Sequence, residues 1–141
     1  MDEIDQKILS ILQEDGRISM TDLGKMINLS TPAVKERVKK LEERGVIEGY
    51  RAVINPERLG KSVLAYILVD THNCKAFREF CRSSPLAVEC HRLAGQYSYL
   101  VKLVARSVLE LEEFIDEVMK YGKPSTLVNL SSPVKHKEIL P

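Results

Sequence analysis

The residues best placed to do chemistry lie between Ser30 and Lys40. Lys35, Arg37, Lys39 and Lys40 stand there against the single carboxylate of Glu36. Ser30 has the type and position of a helix N-cap, and Pro32 falls in the first turn, where its missing N–H costs little. Val34, Val38 and Leu41 then make an inward stripe at helical spacing. Thr31, Ala33, Lys35, Glu36, Lys39 and Lys40 are left outward, with Arg37 at the border. Such a helix fits the major groove of a duplex. Its free N–H groups and dipole favour a phosphate, its lysines suit phosphates or guanine edges, and Thr31 and Ala33 suit a base edge or a thymine methyl. Ser30 reads as a cap rather than a base reader. The bland reading of the same charges is a solvated face, with Glu36, Glu42 and Glu43 pairing at i,i+4 with Lys40, Lys39 or Lys35.

The elements around this helix favour the groove reading. Asp2 caps a first helix with Ile4, Ile8, Ile11 and Leu12 on one face, and Asp15-Gly16 ends it. Ser19-Met20-Thr21-Asp22 is a capping-box pattern that opens a second helix burying Leu23 and Ile27. Asn28-Leu29 makes the tight turn into the third, which Gly45 stops. Residues 46–54, β-branched and broken by Gly49, read as a wing strand or hairpin. Two short helices, a tight turn, a basic helix and a wing form a winged helix-turn-helix.

Beyond a short polar linker at residues 55–61 the pattern changes. Residues 62–70 read as a strand, and Asn73 caps a helix through about Ser83. Residues 86–93 and 97–105 are two strands joined at Ala94-Gly95-Gln96. Ser107 with Glu110 opens a helix burying Leu111, Phe114, Ile115 and Val118. Tyr121-Gly122-Lys123-Pro124 breaks it, and residues 125–134 form a last strand. The order β-α-β-β-α-β is ferredoxin-like. The fold class is thus α+β, with domains at 1–54 and 62–141. In the strand at 62–70, Val63, Ala65, Ile67 and Val69 alternate with Leu64, Tyr66 and Leu68, so both faces are apolar. Helices cover only one face of such a sheet, and a second subunit is the economical cover for the other.

Composition bounds the remaining classes. The 141 residues carry a net charge of +1. Residues 1–60 hold 10 Lys/Arg against 11 Asp/Glu and residues 61–141 hold 11 against 9, so a nucleic-acid reading depends on local placement, not bulk charge. No apolar run approaches the roughly 18–20 residues of a membrane span and no leader pattern is present, which predicts a soluble, cytoplasmic, nucleoid-associated chain. Cys74, Cys81 and Cys90 form no CxxC pair. Cys74, Phe77 and Cys81 share one helical face, so these thiols read as packing rather than as metal ligands beside His72 and His91. His72, His91 and His136 have no nucleophile or carboxylate at a recognisable spacing. No catalytic site, metal or cofactor is expected.

Taken together, the chain resembles the Lrp/AsnC family of feast/famine regulators over nearly its full length. The resemblance is carried by Asp2, Asp5, Ile8-Leu9, Leu12, Asp15-Gly16-Arg17, Ser19, Leu23, Leu29-Ser30, Val34, Arg37-Val38 and Leu41-Glu42. It continues through Gly45-Val46-Ile47, Gly49-Tyr50, Ala52, Leu59-Gly60, Glu89-Cys90-His91 and Ala94-Gly95-Gln96-Tyr97-Ser98-Tyr99-Leu100. It implies a transcriptional regulator of double-stranded DNA, dimeric through the second domain, assembling to octamers or open arrays, and often controlled by an amino acid. The implied effector residues are Gly95, Gln96, Tyr97 and Ser98 in the hairpin with Ser125 and Thr126 in the last strand. Here the sequence departs from the family's Gly-acidic-aromatic-Asp-Tyr hairpin, because Gln96 and Ser98 replace both carboxylates. A buried ammonium without a counter-charge is costly, so ordinary amino-acid binding is expected to be weak or differently arranged. The alternative is an effector-independent architectural protein that wraps DNA.

Overall fold

The computed structural model describes residues 1–140. Three helices come first: α1 (Glu3–Glu14), α2 (Met20–Ile27) and α3 (Thr31–Glu43). After a 3₁₀ turn at Pro56–Leu59 follow β1 (Val63–Thr71), α4 (Cys74–Ser83), β2 (Ala87–Arg92), β3 (Tyr99–Ala105), α5 (Val108–Met119) and β4 (Gly122–Val128). The chain divides into two compact units. One is residues 1–53 together with the stretch from Val134, and the other is residues 54–133.

Each helix of the first unit begins where a side chain satisfies a free amide. Asp2 accepts from the Asp5 N–H while Asp5 accepts from the Asp2 N–H, a reciprocal box at the start of α1. Ser19 caps α2 through the Asp22 N–H, and Ser30 caps α3 through the Ala33 N–H. The buried residues Ile8, Leu12, Leu23, Val34, Val38 and Leu41 make one small core. The turn from α2 to α3 depends on two residues. Asn28 sits at φ 57°, the left-handed region that Asn tolerates. Gly24 lies so close to the start of α3 that an added Cβ would be 2.6 Å from the Leu29 carbonyl oxygen.

The stretch from Val134 packs with the first unit. Gln13 of α1 donates to the Ile139 carbonyl at 3.1 Å and accepts from the Ile139 N–H at 2.8 Å, and Ser10 donates to Glu138. A side-chain amide satisfying both backbone groups of one residue acts as a local ladder partner for a segment that has no strand beside it.

The second unit is a four-stranded antiparallel sheet in the order β2-β3-β1-β4, with α4 and α5 on one face. Ala65, Ile67 and Val69 of β1 and Val101 and Leu103 of β3 point to the helices and are buried with Phe77, Leu111, Phe114 and Val118. On the other face Leu64, Tyr66 and Leu68 are half-exposed, beside Leu100 and Lys102, their neighbours in register.

Three expectations need correction. Residues 46–54 form no strand or hairpin, so the expected wing is absent among the described residues. Their β-branched composition supplies propensity, but a strand exists only where another strand pairs its N–H and C=O groups, and none is adjacent. The last strand covers Gly122–Val128 rather than 125–134. Gly122 and Pro124 do follow the end of α5, yet they also belong to the strand, because β4 is an edge strand. Pro124 is tolerated at an edge, and Gly122 passes so close to β1 that a Cβ would meet the Asp70 carbonyl oxygen at 2.2 Å. Finally, the β2–β3 connection is longer than the expected Ala94-Gly95-Gln96 turn, because β2 ends at Arg92 and β3 begins at Tyr99. Leu93 N–H donates to the Ser98 carbonyl at 2.8 Å, closing a loop over residues 94–97.

Candidate nucleic-acid interface

The outward face of α3 is built by what lies beneath it. Val34 is fully buried, Val38 is 6% exposed and Leu41 2% exposed, which fixes the helix's rotation against α1 and α2. Lys35, Glu36, Lys39 and Lys40 are consequently exposed, with Thr31 and Ala33 half-buried at the N-terminal end and Ser30 and Pro32 exposed there. The Ser30 hydroxyl is engaged as the cap, 3.4 Å from the Ala33 nitrogen. Thr31 lies against Thr21 of α2, with 3.4 Å between hydroxyl oxygens. The pair marks where the two helices meet at the N-terminal end of α3.

The lysines differ in their partners. Lys40 pairs with Glu36 at 3.2 Å and Lys39 with Glu43 at 3.5 Å, both i,i+4 pairs on the solvated face. Lys35 makes no ion pair among the described residues. Exposed i,i+4 pairs contribute about 0.3–0.5 kcal/mol and exchange readily for a stronger anion such as phosphate. Pairing therefore does not remove Lys39 or Lys40 from use. Glu42 is not paired with a lysine; it accepts from the Tyr50 hydroxyl at 3.0 Å.

Arg37 has a different job from its neighbours. Its Nη1 donates to both oxygens of Asp2, at 3.0 and 2.8 Å, and to Asp5 Oδ1 at 2.7 Å. These carboxylates raise the guanidinium's pKa, and the Asp5 N–H followed by Arg37 holds the Asp2 carboxyl below its ordinary range. The side chain assigned to the DNA-facing border is a strut between α3 and α1. No local spacing signals this strut, because its carboxylates lie 35 and 32 residues away on α1. Gly24, which lets α2 approach α3, carried no sequence signal beyond its type.

The structure does not bring the proposed effector residues together within one chain. Gly95 and Gln96 are exposed in the 94–97 loop, and Tyr97 is half-buried. Ser98 is tied to β1, its amide donating to the Val69 carbonyl at 2.9 Å and its oxygen accepting from the Thr71 N–H at 3.4 Å. Ser125 and Thr126 lie on β4, on the far side of β1. They face opposite ways, Ser125 in register with Leu68 on the open face and Thr126 with Ile67 on the helix face.

Comparison with known proteins decides the family. Residues 1–42 match the AsnC-type helix-turn-helix domain and residues 62–139 match the Lrp/AsnC ligand binding domain. The chain belongs to the Lrp/AsnC family. It is 51% identical over 136 residues to the uncharacterized HTH-type transcriptional regulator YezC of Bacillus subtilis, covering 96% of this chain and 98% of that one. It is 38% identical to the leucine-responsive regulatory protein of Rhizobium meliloti, over 83% of this chain and 78% of the relative. Among solved structures, B. subtilis LrpC superposes with a TM-score of 0.91 at 33% identity, covering 96% and 99% of the two chains. The Neisseria meningitidis regulator NMB0573 in complex with L-Met superposes with a TM-score of 0.89 at 27% identity, covering 100% and 96%. This Lrp/AsnC chain is thus a DNA-binding transcriptional regulator with a ligand-binding domain, and not an enzyme. No helix among its described residues is long and apolar enough to cross a membrane.

Proposed function

We propose that the regulator reads duplex DNA by placing the N-terminal half of α3 in the major groove. Thr31 and Ala33 meet base edges, Lys35, Lys39 and Lys40 meet phosphates, and Arg37 holds the reading helix to α1. The observation that carries this reading is the rotation of α3: three apolar residues buried beneath it leave one continuous face of three lysines outward. The chain acts as a dimer through the second unit. The open sheet face, with Leu64, Tyr66, Leu68 and Leu100, is the apolar surface that two copies would bury against each other. Two reading helices at fixed separation then select two half-sites, and further association of dimers toward octamers lengthens the bound segment.

The effector is a separate question. A relative was solved with L-Met, but Gln96 and Ser98 supply no carboxylate for an ammonium group. Free amino acids are accordingly expected to bind this chain weakly at the hairpin. Selection of duplexes from a random pool by the full-length protein tests the DNA reading. A motif of two inverted half-sites, about one helical turn or a multiple apart, supports it. Enrichment of bendable DNA without a motif contradicts base reading and fits a wrapping protein.

A further inference from the structure

A cavity of about 360 Å³ opens between α4 and β2, at the sheet edge opposite β4. Arg78 and Arg82, one turn apart on α4, and Arg92 at the end of β2 line it. Tyr99, in register with Arg92, forms part of its wall. Tyr99 is 1% exposed, and its hydroxyl has no hydrogen-bond partner. The Cys74 thiol stands beside it. A buried hydroxyl without a partner is destabilising, and a phenylalanine would pack as well against Phe77, whose ring centroid is 5.2 Å away. An oxygen kept at that cost needs a use.

The charges around the cavity indicate what the use is. Arg82 is paired with Glu79, while neither Arg78 nor Arg92 has a carboxylate partner among the described residues. Glu89, the one acid on the rim, already accepts from Lys102 at 2.8 Å and faces His91 at 3.2 Å. The remaining wall includes the Cys81 and Cys90 thiols. Burial pushes Cys81 up to about 12 and raises Cys90, so both stay neutral and present a soft, uncharged surface.

We propose that this cavity is a ligand site for a small carboxylate lacking an ammonium group, of the 2-oxo acid type. Arg78 and Arg92 hold the planar carboxylate, the Tyr99 hydroxyl donates to it, and the remainder of the ligand lies on the thiol wall. Guanidinium forks match a carboxylate's two oxygens. An ammonium would meet three guanidiniums and no free acid, and inorganic phosphate has nothing to set against the thiols. The site is two strands away from Ser125 and Thr126 and does not depend on the DNA reading.

Calorimetric titration of the full-length protein without DNA tests it, using pyruvate, alanine and inorganic phosphate as probes. One pyruvate should bind per chain, with alanine and phosphate each at least about 10-fold weaker. Tyr99→Phe should weaken pyruvate by about 10-fold while leaving the melting temperature of the free protein unchanged or raised. Arg92→Ala should abolish detectable binding, and Ser125→Ala should leave it intact. The proposal is overturned if pyruvate does not bind, if alanine or phosphate binds as well, or if Tyr99→Phe binds like the parent. It is equally overturned if Tyr99→Phe lowers the melting temperature, because the hydroxyl would then have a structural partner.

Discussion

Arg37 on α3 and Asp5 on α1 are joined by a 2.7 Å ion pair in which the Asp5 side chain is only 14% exposed. Because Asp2 shares the same guanidinium at 2.8 Å, one side chain ties the reading helix to the capped start of the first helix. The angle between these helices sets where Lys35 and Lys39 sit against a phosphate backbone. Arg37→Ala should therefore lower the melting temperature and weaken binding to all duplexes alike, with Arg37→Lys intermediate because one ammonium cannot serve both acids. An Arg37→Ala protein matching the parent in melting temperature and affinity would show the strut to be idle.

The same contact predicts an acid response. Asp2 has its pKa lowered from 3.8, chiefly by the Asp5 N–H and then by Arg37. A carboxyl with a depressed folded-state pKa contributes stability that is present above 3.8 and lost as pH falls through its lower folded value. Asp2→Asn should therefore flatten the decline in melting temperature below pH 4 and lower the melting temperature near neutrality. An acid limb of unchanged slope in that variant would contradict the assignment.

Gly24 allows α2 and α3 to close on each other, and a methyl there would overlap the Leu29 carbonyl. Gly24→Ala should cost about 1–3 kcal/mol by urea denaturation, the range for overpacking a tight site. A change below about 0.5 kcal/mol would mean that the turn relaxes freely.

On the open sheet face, Leu68 is flanked in register by Leu100 and Ser125. Leu68→Lys puts an ammonium where a second copy would pack. Sedimentation velocity should show a folded monomer with much weakened DNA binding. A variant that sediments as the parent does would place the subunit contact elsewhere.

Much of the fold was legible because local chemistry and global packing agree in it. Asp2, Ser19, Ser30, Asn73 and Ser107 each announced a helix start that the structure uses. The apolar periodicity of α3 and of β1 gave their buried faces directly. What failed was non-local. Residues 46–54 have strand propensity without a strand to pair with, and Pro124 signals a break except at a sheet edge, which no single segment reveals. The basic face of α3 was visible as a charge excess, but Arg37 joined that excess only in one dimension; its partners lie 32 and 35 residues away. The cavity beside Tyr99 left a faint trace, Arg78 and Arg82 at i,i+4, whose convergence with Arg92 needed the β2–β3 register.

The most direct test of the central claim is the salt dependence of affinity for a duplex recovered by selection, measured by fluorescence anisotropy. Replacing Lys35 by Ala, and separately Lys39 by Ala, should weaken binding. Each change should also reduce the slope of log affinity against log salt by about one per lost phosphate contact. Affinities and slopes equal to the parent's in both variants would contradict the assignment of α3 as the helix that meets DNA.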